Sequence, residues 1–121
     1  QAQSFGAIGE VEYKKVFPPV INDEHIIDIL EISSQNSIGG KNIRWLEQPS
    51  MGSEDFAYYL QKIPGALIRL GTNNESEKSK LPLHNPELIF DEKSIHTGIQ
   101  FMSHAIFALL EDSNVIKVRT L

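Results

Sequence analysis

The sequence predicts an α/β fold in which helices pack on a layered sheet, and three observations predict it. From Gly9 to Phe17 apolar and polar residues alternate, the period of a half-buried strand. From Ile95 the apolar residues Ile99, Met102, Ile106 and Leu109 follow at spacings of 4, 3, 4 and 3, the period of an amphipathic helix. Between them the two kinds of segment take turns, giving the order strand, helix, strand, helix, strand, long loop, helix.

The first strand places Glu10, Glu12 and Lys14 on one side and Val11 and Tyr13 on the other; Pro18-Pro19 stops it. Asn22 reads as a helix N-cap, with Asp23 and Glu24 in the first turn, where the helix dipole favours negative charge. Ile26, Ile27, Ile29, Leu30 and Ile32 give this helix its apolar side, and Gly39-Gly40 ends it. Asn42 to Leu46 predicts a short strand and Glu47 to Gly52 a loop. Ser53 is the expected cap of a helix bearing Phe56, Tyr59 and Leu60, which Pro64-Gly65 breaks. Ala66 to Leu70 predicts a compact apolar strand, and the polar run Thr72 to Lys80 a mobile surface loop. Asp91 is the expected cap of the last helix, whose stripe should pack on the sheet. The tail Val115 to Leu121 alternates weakly and reads as an edge strand or a loose end.

The chain has 121 residues, 40 % apolar and 22 % charged, enough for one domain with a modest core. A net charge of −5 disfavours a nucleic-acid or anionic-membrane surface, which needs clustered Lys and Arg. No apolar run approaches the ~20 residues that span a bilayer. There is no cysteine, hence no disulfide framework and no thiolate metal site. Together with an N-terminus unlike a signal peptide, this makes a cytoplasmic protein the expectation. Gln1 opens the chain where an initiator Met is usual, and the first element begins abruptly, so a piece of a longer protein is expected. Pro18-Pro19 resembles a hinge that separates 1–19 from 20–121.

Few residues carry candidate chemistry. His84 lies in the turn Leu83-His84-Asn85-Pro86. An imidazole is the commonest ligand for borderline metals when its approach is fixed, and Pro86 stiffens this turn. A lone loop histidine is nevertheless more often a surface residue. Glu54-Asp55 most simply compensates a helix dipole. The alternative puts the loop Met51, Gly52, Ser53 and Glu54 at a substrate pocket, where Gly52 permits close approach and the helix start offers free N–H groups. His96 and His104 stand eight residues apart on a polar helix face with Gln100 and Ser103, too far for an i, i+4 metal pair, and His25 reads as exposed. No phosphate loop and no G-x-S-x-G nucleophile elbow is present.

Three blocks in order carry a resemblance: GSEDFAYYL, PGALIRLGT, and LHNPEL with the helix that opens near Asp91. With the upstream VEYKKVFPPVIND they resemble the C-terminal part of the aminoacylase-like metallopeptidases, which include N-acyl-amino-acid amidohydrolases, hippurate hydrolases and auxin-conjugate hydrolases. Each block is moderately specific; the ordered set, over nearly the whole chain, is strong. The resemblance implies a hydrolase with a two-metal α/β catalytic domain, usually zinc with manganese or cobalt also reported, and an inserted lid that commonly mediates homodimerisation. It implies attack of a metal-bound water on an amide carbonyl, with a glutamate as general base. His84 matches a metal ligand, Met51–Glu54 a segment of the substrate pocket, and Gly71-Thr72 a strand end near the site. Residues 1–19 match the end of the lid and 20–121 the C-terminal part of the catalytic domain.

The family's remaining ligands and its general base lie on a His-rich motif, a Glu-Glu pair and a further His, none of which is here; Glu54-Asp55 is not that pair. The expectation is therefore the C-terminal portion of a metal-dependent hydrolase acting on N-acyl amino acids or small peptides. By itself it should contain no complete catalytic set, hold no metal tightly and be inactive. The rival expectation is a non-catalytic α/β module for protein interaction or small-molecule binding.

Overall fold

A computed structural model of the chain describes residues 2–14 and 16–112. Its centre is an antiparallel pair of helices, α1 (Glu24–Ser37) and α3 (Lys93–Glu111), with the short helix α2 (Phe56–Leu60) between them in sequence. The pairing direction follows from two contacts. His25 Nε2 at the start of α1 lies 3.1 Å from Asp112 Oδ2 just after α3, and Gln100 Nε2 donates to Ser37 O at the end of α1 at 2.6 Å. Gln100 thus satisfies a carbonyl that the end of a helix leaves without an intrahelical partner.

The core is small. Ile26 and Leu30 of α1 meet Phe101 and Ala105 of α3, with Ile38, Ala66 and Leu109 packed at the edges. Of the predicted stripe of α3, Leu109 alone reaches this core, at its edge. Ile95, Ile99, Met102 and Ile106 are exposed, and the neighbouring face through Phe101 and Ala105 carries the contact. The period was right and the buried side was rotated, because the helix packs on α1 where a sheet was expected.

That layered sheet is the main correction. Among the described residues no strand forms at Gly9–Phe17, Asn42–Leu46 or Ala66–Leu70. A strand exists only through a ladder with a neighbour, and these segments lack one. Asn42 instead closes a 3-10 turn, Gly40–Asn42, where Gly39 at φ +86° redirects the chain after α1. Residues 3–14 are exposed throughout, and the arm is tied down near its end by Tyr58, whose hydroxyl donates to Val16 O while its ring meets Phe17 at a centroid distance of 6.0 Å. Val115–Leu121 lies outside the described residues.

The helix caps also differ. Asp23 caps α1, its Oδ1 accepting from Ile26 N at 3.1 Å. That frees Asn22, which clasps Leu67 with both ends of its amide: Nδ2 donates to Leu67 O (3.1 Å), and Oδ1 accepts from Leu67 N (2.8 Å). Asp23 N donates to Gly65 O alongside (2.9 Å). A side chain here makes the two bonds that a neighbouring strand would make. At α2 it is Glu54 Oε1 that accepts from Phe56 N, and Ser53 makes no cap bond. Asp91 Oδ1 accepts from Lys93 N at the start of α3, as expected of a cap.

Asn22→Ala is expected to destabilise the chain by about 2–3 kcal/mol, since it removes two bonds and leaves a part-buried N–H and C=O of Leu67 unsatisfied. Asn22→Asp, which keeps the acceptor and loses the donor, should recover part of that. Urea midpoints of the three proteins check it; equal midpoints would mean the clasp contributes nothing.

Candidate metal and substrate site

His84 stands third in the turn Pro82-Leu83-His84-Asn85, closed by Asn85 N donating to Pro82 O at 3.1 Å. Its φ is +72°, and it is the one non-glycine residue at positive φ among those described. Such turns demand that sign at this position and usually place Gly or Asn there. A histidine can take it, at a cost. The next turn locks the arrangement: Asn85 Oδ1 accepts from Glu87 N (2.9 Å), Asn85 O accepts from Leu88 N (3.1 Å), and Pro86 fixes the backbone between them. The His84 imidazole is exposed.

The loop before it is built rather than bare. Residues Glu77–Lys80 form a 3-10 turn around the buried Ser79. Ser79 Oγ accepts from Asn74 N (2.9 Å) and lies 2.7 Å from Ser76 O and 3.1 Å from Asn74 O, the acceptors for its own proton. Asp91 N donates to Thr72 O at 2.7 Å and Ile89 N to Lys78 O at 3.4 Å, so the excursion from Thr72 to Asp91 closes on itself and presents His84 at its tip. Lys78 Nζ and Glu87 add an exposed ion pair at 3.5 Å. Ser79 is not legible as the hub from the sequence, since nothing in a Ser- and Lys-rich run marks which serine takes that place. An open cleft of about 740 Å³ runs along the same loop, lined by Asn74, Glu75, Ser76, Lys80, Asp91 and Lys93.

Met51, Gly52 and Ser53 are exposed and Glu54 is half-buried, next to α2. Among the described residues no hydrogen bond or ion pair joins this segment to His84. His96 and His104 lie exposed on α3, with His104 Nδ1 2.9 Å from Gln100 O of its own helix. No group of three or more His, Asp or Glu that could hold a metal ion exists among the described residues. A catalytic zinc takes three protein ligands and a water, and the described residues offer no such set by themselves.

Residues 7–108 match the profile of peptidase family M20/M25/M40. The chain belongs to that family. Among its relatives, a probable hydrolase of Synechocystis sp. is 39% identical over 85% of this chain, and thermostable carboxypeptidase 1 of Saccharolobus solfataricus is 32% identical over 87%. An IAA-amino acid hydrolase ILR1-like 4 of Arabidopsis thaliana is 33% identical over 72%. The match covers 26%, 25% and 20% of those relatives, so this M20 chain spans about a quarter of their length. No solved structure matches. No helix among the described residues is long and apolar enough to cross a membrane.

Proposed function

We propose that this M20 chain is the C-terminal portion of a metal-dependent hydrolase that cleaves the amide bond of an N-acyl amino acid or small peptide. The observation that carries the reading is His84. It occupies the strained position of a doubly locked turn, where Gly or Asn would be easier, and its imidazole is exposed. Strain kept at one side chain points to a role for that side chain, and the Leu-His-Asn-Pro sequence at this place matches a metal ligand. The hydrolase and carboxypeptidase names of its relatives agree with the reaction class.

In this reading His84 gives one ligand to zinc, manganese or cobalt, and Met51–Glu54 lines one wall of the substrate pocket. The exposed loop around Gly52 offers its backbone to an acyl or carboxylate group. Residues 1–19 are the end of a lid that pairs two protomers, and 20–121 belong to the catalytic domain, whose sheet includes 66–70. The general base and the other ligands come from polypeptide beyond this sequence.

Alone, then, the chain is expected to be inactive. Incubated with zinc and an N-acetyl amino acid it should release no free amino acid above a protein-free control. Turnover abolished by a chelator would show a complete site within these 121 residues and sink the assignment of roles.

A further inference from the structure

The stretch from Val16 to Asn22 is held at both ends and stiff in the middle. At its far end Asn22 clasps Leu67 through two part-buried hydrogen bonds. In the middle, Pro18 and Pro19 each hold φ at about −65° and favour an extended chain. At the near end the Tyr58 hydroxyl donates to Val16 O, and the Tyr58 ring meets Phe17 at an interplanar angle of 56°. The two ends are unequal. Tyr58 and Phe17 are 46% and 41% exposed, so water competes for the hydroxyl and reaches both rings. One exposed bond and one tilted ring contact therefore face a clasp of two sheltered bonds. When the Tyr58 end lets go, the arm swings about Pro18-Pro19 while the clasp stays shut.

The other contacts of Tyr58 give this joint its consequence. Tyr58 belongs to α2, a helix of five residues. So short a helix does not stand on its own hydrogen bonds and depends on what it touches. Ala57, its neighbour, is fully buried, and a Cβ at Gly65 would lie 2.9 Å from Leu60 Cδ2, so one side of α2 is seated firmly. Its start is shaped by Glu54, whose Oε1 accepts from Phe56 N and whose O accepts from Ala57 N, both at 3.3 Å. Tyr58 N donates to Asp55 O at 3.0 Å. The residue that holds the arm thus also closes the turn that follows Met51–Glu54.

We propose that Tyr58 is a releasable latch that couples the direction of the arm to the conformation of Met51–Glu54 and the start of α2. In one state Tyr58 sits on Val16 and Phe17 and the α2 start is closed; in the other Tyr58 is free and that start is loosened. Coupling is reciprocal: whatever orders the loop favours the latched arm, and whatever moves the arm loosens the loop. Only the consequence of the latch rests on the hydrolase reading, in which the loop lines the substrate pocket and the arm leads to the lid. Tyr58 then ties one wall of the pocket to the position of the lid.

The chain contains no cysteine, so spin labels on Glu10→Cys and Asp28→Cys report the arm against α1 without background. Pulsed dipolar spectroscopy should give one narrow distance distribution. Tyr58→Phe removes the hydroxyl and keeps the ring; it should shift the latched-to-released ratio about 3- to 10-fold and broaden the distribution. The same variant should speed amide exchange at Phe56 and Ala57 by a similar factor. It should leave the thermal melt of the α1–α3 pair unchanged, since that core does not include Tyr58. Glu54→Ala, which removes the bond to Phe56 N, should broaden the arm distribution in turn. Tyr59→Phe is the control: it keeps the ring stacked on Phe56 and should move neither readout. A broad distribution in the unsubstituted protein, or one that Tyr58→Phe leaves unchanged, overturns the latch. A broadened arm with unchanged exchange at Phe56 and Ala57, or no response of the arm to Glu54→Ala, overturns the coupling and with it the proposal. None of these readouts uses a metal, a substrate or turnover, so the latch and the hydrolase reading fail separately.

Discussion

Phe101→Ala is expected to abolish cooperative folding of this chain at 25 °C. Phe101 is 7% exposed and is the large aromatic in a core that otherwise consists of Ile26, Leu30 and Ala105. Truncating a buried phenylalanine costs about 3–5 kcal/mol through lost transfer energy and the cavity left behind. An ordinary domain has 5–15 kcal/mol in total, and this one buries far less apolar surface than its length allows. The matched control is Phe107→Ala six residues on, at 67% exposure, for which less than about 1 kcal/mol is expected. Thermal melts followed at 222 nm separate the two. Similar losses in both would mean that α3 does not pack on α1 through Phe101.

The same helix shows what the sequence made legible and what it did not. Its existence, period and capping by Asp91 could be read directly, because they depend on residues close in sequence. Its buried side could not. Ile95, Ile99, Met102 and Ile106 form the more regular stripe, yet the smaller face of Phe101 and Ala105 meets α1. Which side is buried depends on which partner is present, and that is a property of the rest of the fold. Asn22 teaches the same point locally. An Asn before a helix reads as a cap, but Asp23 beside it takes that role, and Asn22 turns to a segment 45 positions away. The three predicted strands do not form among the described residues for a related reason: alternation marks a half-buried edge but does not supply the neighbour that completes a ladder.

At the site, the Leu-His-Asn-Pro turn was legible as a turn, since Asn and Pro bias the backbone by chemistry internal to each residue. The sign of φ at His84 was not, because histidine gives no warning of it. Nor was Ser79, whose three partners are set by the closure of the Thr72–Asp91 excursion. Residue type gave the candidate, and only the fold showed that it is held at a cost.

That cost leads to the second large effect, His84→Asn, which should act in opposite directions on stability and on metal binding. At φ +72° histidine pays for a left-handed backbone that asparagine tolerates more readily, since its short side chain bonds locally. The turn bonds from Asn85 to Pro82, Glu87 and Leu88 do not involve the His84 side chain and remain. The chain should therefore be as stable as before or slightly more so, by up to about 0.5 kcal/mol from the αL preference. His84→Ala, which gains no such relief, should not be stabilised. Under the reading proposed above, in which His84 is a metal ligand of the intact hydrolase, the same substitution should also lower zinc affinity there by more than the 10–100-fold typical of losing a group behind a ligand. Competition with a chelator measures the affinity, and a urea titration of the chain measures the stability. A variant that loses more than about 1 kcal/mol would show that His84 supports the turn structurally. One that keeps wild-type zinc affinity would remove His84 from the metal site. Only the combination of unchanged folding and lost metal fits a residue retained for its imidazole against the preference of its own backbone.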